Sequence, residues 1–120
     1  MAEIELAWAA GFFDGEGWVG FFVHQPRNHK PIRDIQVSVN QAGDEKEPPF
    51  VLVKLQLIIP EFNLLGPYRK KPNEQHQWRC QAHGLKRTMI IFEKLQPNLC
   101  PVKVEQFEYA IYMYQNGEDT

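Results

Sequence analysis

The stretch LAWAAGFFDGEG, residues 6–17, determines how the rest of the chain is interpreted. Its small residues recur four positions apart, at Ala7, Gly11 and Gly15, and therefore form one stripe along a predicted helix. We call these three residues the small-residue stripe. A smooth stripe of this kind allows a second helix backbone to approach closely.

An adjoining face of the same helix carries Leu6, Ala10 and Phe13, which can reach a core. The stretch then ends in two acids, Asp14 and Glu16, bracketed by glycines that stop a helix. A carboxylate at this end lies beside the negative pole of the helix macrodipole, which is unfavourable. A divalent cation bound to Glu16 would offset both charges. The alternative is an ordinary amphipathic helix followed by an acidic turn, and the pattern alone leaves both interpretations open.

The composition is that of one globular domain, residues 1–120, with 43% apolar and 23% charged residues. No apolar run is long enough to span a membrane, and the acidic start is unlike a secretory signal. The two cysteines, Cys80 and Cys100, have neither disulfide-framework nor metal-ligand spacing, which predicts free thiols in a reducing compartment. We therefore expect an intracellular protein that is not secreted and does not contact a membrane.

The charges are unevenly distributed although the net charge is only −2. Residues 24–33 contain three Lys or Arg, two His and no acid. Residues 69–87 contain six Lys or Arg, Lys70 among them, and one acid, Glu74. A chain that is acidic overall can still present one basic face to phosphates.

The hydrophobic patterns predict the element order α-β-β-α-β-β-α-α. Two hairpins are predicted, in which strands of residues 18–24 and 33–40 flank one turn and strands of residues 68–71 and 76–81 flank another. Side by side they would form a four-stranded antiparallel sheet, covered by helices on one face, in an α+β fold.

The remaining helices follow from spacing and breakers. The first helix is predicted over residues 4–14, and the last over residues 102–114. The helix after Gly84 is expected to turn Leu85, Met89, Phe92 and Leu95 inward. Residues 50–59 fit either a strand or a helix after two prolines, and the pattern does not decide between them.

The uncovered sheet face is predicted to carry side chains suited to DNA. Arg can read guanine, Gln and Asn can read adenine, and Lys can bind phosphate, while a two-stranded ribbon fits the major groove. The alternative is a polar sheet face that only meets water. The candidate DNA-contacting residues are His24, Arg27, Lys30, Arg33, Asp34, Gln36, Ser38, Arg69, Lys71, Gln77, Arg79 and Gln81.

Residues 9–17, AAGFFDGEG, resemble the signature helix of the LAGLIDADG homing endonucleases, and the predicted element order resembles that family's domain over nearly the whole chain. The resemblance implies a homodimer, with the two signature helices packed at the two-fold axis and two saddle-shaped sheets over a long DNA site. It matches Glu16 to the family's metal-binding acid and Asp14 to an acid with a mainly structural role. The expected dimer interface consists of Ala7, Ala10, Gly11, Asp14 and Gly15.

Two further matches lie outside the signature. Val39-Asn40-Gln41 resembles the strand end where a polar residue, here Gln41, holds the attacking water. Residues 95–106 resemble the start of the last helix, where a lysine approaches the scissile phosphate, and one inserted residue around Cys100-Pro101 gives that role to Lys103. The expected catalytic residues are therefore Glu16, Gln41 and Lys103, with Glu16 as the metal ligand.

The resemblance implies a site-specific double-strand DNA endonuclease, encoded by a mobile intron, that hydrolyses phosphodiester bonds with Mg²⁺ as a homodimer on a long pseudo-palindromic site. Mn²⁺ is expected to substitute, and Ca²⁺ to bind without supporting cleavage. The host would be a prokaryotic cytoplasm, an organelle or another host cell. The alternative is a non-catalytic binder on the same fold, either a maturase for intron RNA or a DNA-binding regulator, and a decayed element without activity is a third reading.

Overall fold

The structure is a computed structural model that describes residues 2–69 and 71–116, so Lys70 lies outside the described residues. Its elements follow the predicted order, with one strand displaced, shifts at the ends of the others and one short 3₁₀ turn before the last helix. They are α1 (Ala2–Glu16), β1 (Gly17–His24), β2 (Ile32–Gly43), α2 (Phe50–Ile58), β3 (Asn63–Tyr68), β4 (His76–His83), α3 (Leu85–Leu95), the 3₁₀ turn (Gln96–Asn98) and α4 (Pro101–Asn116).

The four strands form one antiparallel sheet in the order β1-β2-β4-β3. Gly17, the first residue of β1, pairs with Val39, which also pairs with Cys80 at the centre of the sheet. The two predicted hairpins therefore lie side by side through β2 and β4. The predicted α+β fold, with a four-stranded antiparallel sheet and four helices, is confirmed.

The core lies between one face of the sheet and the helices. Alternation along β2 turns Ile35, Val37 and Val39 to this face, where all three are fully buried. Phe107 of α4 packs on Phe13 of α1, with ring centroids 5.4 Å apart. The opposite sheet face has no helix on it among the described elements, and we call it the open face.

The undecided segment, residues 50–59, is helical as far as Ile58. Leu52, Leu55 and Ile59 are buried at helical spacing, and the chain enters this helix directly after Pro49. Packing of this apolar stripe against the sheet decides in favour of a helix, although β-branched residues are frequent in the segment.

Two sequence predictions about the second half of the chain were wrong. Strand β3 begins at Asn63 and not at Tyr68, and its irregular pairing between Leu65 and Tyr68 hides the alternation that marks a strand. Met89 was expected in the core but is 45% exposed, because α3 turns Thr88 and its other inward residues to the sheet instead.

The two cysteines are free, Cys80 buried and Cys100 half-buried. The Cys80 thiol donates a hydrogen bond to the carbonyl oxygen of Leu52 (3.3 Å), and burial raises its pKa to about 12. Among residues 2–69 and 71–116, no helix combines the length and the apolar character that crossing a membrane requires.

Candidate active site and nucleic-acid interface

Glu16 is the last residue of α1, and its side chain is exposed. Within the described part of the chain, no donor or cation is bonded to its carboxylate, and the last turn of α1 contains no basic residue. The negative pole of the helix adds to this uncompensated charge. The position therefore favours a cation from outside the protomer.

Asp14, two residues earlier, already has a hydrogen-bond partner within the protomer. Its Oδ1 accepts a hydrogen bond from the backbone N–H of Cys100 (3.0 Å), directly before the start of α4. The carboxylate thus caps an N–H donor at the beginning of the last helix. The two acids, which look alike in the sequence, have different surroundings.

Lys103 lies at the same corner. Its ammonium nitrogen donates a hydrogen bond to the carbonyl oxygen of Gly17 (2.6 Å), the residue that follows Glu16. The ammonium is also 5.8 Å from the centroid of the Phe13 ring, so it is half-buried against the end of α1. An ammonium has three donors, and this backbone bond uses one of them.

Gln41 lies on β2, two residues beyond Val39, which is the register partner of Gly17. This spacing corresponds to about 7 Å along the strand. The side chain is half-buried, and alternation places it on the helix side of the sheet with Val39. The structure thus brings the three predicted catalytic residues to one corner, which we call the acid corner.

A divalent cation fits the acid corner only in part. Within residues 2–69 and 71–116, no three His, Cys, Asp or Glu side chains come close enough together to hold a metal ion. The exposed carboxylate of Glu16 supplies the hard oxygen donor that Mg²⁺ prefers, but one protomer offers a single such ligand. The remaining ligands would be water, phosphate oxygens or a second copy of Glu16.

The small-residue stripe faces outward. Ala7 is exposed, and a Cβ atom added at Gly11 or Gly15 would meet nothing within 4 Å. Ala10 was expected at the dimer interface, but it is 0% exposed and lies in the protomer's own core. That expectation was wrong, because Ala10 lies on the face of α1 that the sheet and the other helices cover.

Arg79 is the most strongly positioned cation of the open face. Its Nε donates to Oδ1 of Asn40 (2.9 Å) and one terminal nitrogen donates to Oε1 of Gln81 (3.4 Å). Its guanidinium carbon lies 5.2 Å from the centroid of the Tyr68 ring. Gln77 lies next to Arg79 on the same face of β4, and its side chain is exposed.

Asp34 is the acid of the open face, and two histidines surround it. Nδ1 of His83 is 3.1 Å from Oδ2 of Asp34, and Nε2 of His24 is 3.8 Å from the same oxygen. The side chain of Gln81 contacts the other ring nitrogen of His83. Polar neighbours on β1 and β4 thus hold the Asp34 carboxylate in place.

Three predicted DNA-contacting residues are less accessible than expected. Ser38 and Gln81 lie on the open face but are only 8% exposed, because their neighbours on the sheet cover them. Arg33 lies on the helix side instead, where it donates a hydrogen bond to the carbonyl oxygen of Met113 (2.5 Å) and contacts the rings of Phe21 and Tyr114. Arg33 was predicted to contact DNA, but it has the same strand parity as the buried Ile35 and therefore lies away from the open face.

The other predicted DNA-contacting residues remain candidates, although Arg69 and Lys71, predicted within a strand of residues 68–71, lie beyond the end of β3. Gln36 is half-buried on the open face of β2. Arg27 and Lys30 are exposed in the turn between β1 and β2, and Arg69 and Lys71 are exposed in the segment between β3 and β4. Both ends of the open face therefore carry accessible positive charge.

Sequence reasoning missed two aromatic residues of the open face, Phe22 on β1 and Tyr68 on β3. Trp18, Asn40 and His83 lie on the same face but are not among the predicted DNA contacts. Strict alternation from Val19 and from Val39 would have found most of them. Aromatic side chains lack the charged and amide groups that mark the predicted DNA contacts.

No protein-family model and no curated protein matches the chain. Solved structures do match. Homing endonuclease I-CvuI, solved with a DNA target in the presence of Mg, is 21% identical, with a TM-score of 0.75 over 99% of this chain and 71% of that one.

Two further structures are similar. The archaeal intron-encoded homing endonuclease I-Vdi141I, complexed with DNA, gives a TM-score of 0.71 at 15% identity over 96% of this chain and 69% of that chain. The LAGLIDADG homing endonuclease I-GzeII, in complex with a DNA target, gives a TM-score of 0.67 at 15% identity over 92% of this chain and 35% of that one. The element order, the sheet topology and these similarities agree: the chain has the fold of the LAGLIDADG homing endonucleases.

Proposed function

We propose that the chain is a site-specific double-strand DNA endonuclease that hydrolyses phosphodiester bonds as a homodimer with divalent metal ions. The observation that carries the proposal is the acid corner: Glu16 is exposed with no bonded partner among the described residues, and the carbonyl oxygen of the following residue, Gly17, accepts a hydrogen bond from Lys103. A pure binder of nucleic acid gains nothing from an uncompensated carboxylate close to phosphates, because the two negative charges repel each other.

Each residue of the acid corner has a chemical task in this proposal. Glu16 binds a divalent cation through its carboxylate oxygens, and Lys103 stabilises negative charge on the scissile phosphate through the donors that Gly17 leaves unused. Gln41 orients a water molecule, since an amide is too weak a base to take its proton. A bound Mg²⁺ would supply charge neutralisation at the phosphate and lower the pKa of a bound water.

The small-residue stripe supports the homodimer. A glycine inside a helix destabilises it by roughly 0.5–1 kcal/mol relative to alanine. Within the described residues, neither crowding at Gly11 nor crowding at Gly15 explains this cost. A second copy of α1 packed on the stripe would explain it, and it would bring two copies of Glu16 to one axis.

The open face supports DNA as the substrate. Arg79, held by Asn40 and Tyr68, presents a preorganised guanidinium for a guanine edge or a phosphate. The exposed Arg and Lys residues at both ends of the face would bind the backbone. The homing endonucleases I-CvuI, I-Vdi141I and I-GzeII were solved with DNA, and the proposal extends that substrate to this chain.

The proposal is tested with DNA of the coding locus from which the element that encodes the chain has been removed, so that the flanking sequences are joined. We expect cleavage in Mg²⁺ or Mn²⁺, and binding without cleavage in Ca²⁺. Glu16→Gln should lower the cleavage rate at least about 100-fold and leave binding in Ca²⁺ intact.

The matched control is Glu5→Gln, an exposed glutamate at the other end of α1 that should not affect cleavage. Tight binding of intron RNA, with no cleavage of the joined locus by the wild-type chain, would favour the maturase alternative. Equal cleavage by Glu16→Gln and the wild-type chain would refute the role given to Glu16.

A further inference from the structure

Three aromatic side chains line the open face of β1, beginning two residues after Glu16. Trp18 and Phe22 have ring centroids 6.4 Å apart, and Phe22 and His24 have ring centroids 4.9 Å apart. We call these residues the aromatic row. Trp18 is 47% exposed, which is unusual for a side chain of this size on a monomer's surface.

Gly20 makes the row continuous. Four residues of strand separate the Cα atoms of Trp18 and Phe22 by about 13 Å, twice the distance between their rings. The Trp18 ring therefore leans along the strand across Gly20, where a Cβ atom would lie 2.3 Å from the indole. The missing side chain at Gly20 is what allows the two rings to pack together.

We propose that the aromatic row reads the 5-methyl groups of thymines in the major groove of the bound duplex. This inference rests on the proposed function. The row is continuous with the polar part of the open face, since Trp18 pairs with Ser38 and Phe22 pairs with Asp34 across the strands. Among groups at base edges in the major groove, the thymine methyl is the apolar one, and aromatic and other apolar side chains contact it.

The geometry favours methyl contacts over stacking on splayed bases. Stacking needs isolated rings with free faces, whereas Trp18 and Phe22 lie nearly parallel (26°) and Phe22 meets His24 edge-on (89°). The row is thus a strip of packed rings. It extends over about 20 Å of strand, outward from the acid corner, which matches about six base pairs of each half-site.

The test compares two versions of the joined-locus duplex in Ca²⁺, one synthesised with thymine and the other with uracil, which lacks the methyl group. We expect the wild-type chain to bind the uracil duplex at least about fourfold more weakly, since one buried methyl contributes about 0.8 kcal/mol. A competing nonspecific duplex, prepared in both versions, corrects for changes in DNA stiffness.

Three variants connect this preference to the row. Phe22→Gln and Trp18→Gln should bind both duplexes with similar affinity. Gly20→Ala should reduce the preference with no polar change, because the added methyl displaces the indole. Val23→Gln is the matched control: Val23 is 39% exposed on the other face of the same strand, so its substitution should keep the preference. Thermal unfolding establishes which variants fold, and Gly20→Ala is the most conservative of them.

The outcomes separate this inference from the proposed function. Selective binding of the joined locus with equal affinity for thymine and uracil overturns the inference and leaves the endonuclease proposal standing. Absence of selective duplex binding by the wild-type chain overturns both. Stronger binding to the separated single strands than to the duplex also overturns the inference, in favour of base stacking on the row.

Discussion

The two faces of α1 use the same kinds of residue for different purposes. On the inner face, Ala9 and Ala10 are fully buried, and their small side chains let the helix pack closely on its own protomer. On the outer face, Gly11 and Gly15 are equally small, yet nothing in the described chain touches the space beside them. Small residues alone therefore do not identify an interface. A small residue that is buried within the protomer already packs against its own chain, whereas an exposed small residue leaves a helix face on which a second helix can pack.

The two acids at the C-terminal end of α1, Asp14 and Glu16, repeat this difference. Asp14 is bonded to the start of α4, whereas Glu16 has no partner among the described residues. Inner positions should thus affect stability, and outer positions should affect association and activity. The predictions below test this division, from the largest expected effect to the smallest.

Gly11→Leu should separate association from folding most clearly. Gly11 is exposed and an added Cβ atom meets nothing within 4 Å, so we expect the free energy of unfolding of the monomer to rise by about 0.5–1 kcal/mol through helix propensity. The same side chain blocks close helix contact, so self-association should weaken at least about 100-fold. Sedimentation velocity and denaturant unfolding measure the two quantities. A dimer of unchanged affinity would remove the stripe from the interface.

Ala10→Leu should have the opposite effect. Ala10 is fully buried, so added methylenes overpack the core and should cost about 1–3 kcal/mol of unfolding free energy. The control is Ala7→Leu on the exposed side of the same helix, measured at concentrations where the chain is monomeric, with an expected change below about 0.5 kcal/mol. Equal costs for the two substitutions would contradict the division between the faces.

Asp14→Ala should destabilise the chain by about 1–2 kcal/mol, because the N–H of Cys100 loses its charged acceptor. Glu16→Gln should leave the unfolding free energy unchanged or slightly raised, since it removes an anion from the negative pole of a helix. Thermal unfolding of both variants at neutral pH provides the comparison. A larger loss of unfolding free energy for Glu16→Gln than for Asp14→Ala would contradict the stabilising role given to Asp14.

The smallest effect concerns an ion pair remote from α1. The Lys94 ammonium is 2.8 Å from Glu61 and lowers the pKa of that carboxyl below its ordinary value of 4.5. A lowered pKa contributes stability above pH 4.5 that is lost as the pH falls through the folded-state pKa. Glu61→Gln should therefore cost less than about 1 kcal/mol at pH 7 and less still in acid, as urea unfolding at several pH values would show. Glu93→Gln, an exposed acid on α3, is the control.

Much of this structure was predictable from periodicity, and some errors came from setting periodicity aside. Alternation along β2 places Arg33 with Ile35, and helical spacing places Ala10 with Phe13, yet both were assigned to interfaces on chemical type or resemblance. For residues 50–58, periodicity alone could not have predicted the secondary structure. Their apolar positions satisfy a strand and a helix alike, so only packing against the sheet decides.

The acid corner was predictable only through resemblance. Lys103 and Glu16 are far apart in the sequence, and their meeting depends on how α4 crosses the end of α1. No local sequence pattern predicts the hydrogen bond from the Cys100 N–H to Asp14 either. Contacts of this range depend on the tertiary arrangement, which local propensity does not encode.

The bonds from Asp14 to Cys100 and from Lys103 to Gly17 each join residues 86 positions apart in the chain. On the ribosome, α1 and Glu16 are synthesised before α4, so the acid corner is incomplete until α4 has been made. Such long-range closure is slow compared with local folding. A nascent or truncated chain that ends before residue 101 would therefore carry Glu16 without its lysine. Under the proposed function, cleavage activity would therefore require that α4 has been synthesised and has packed against the end of α1.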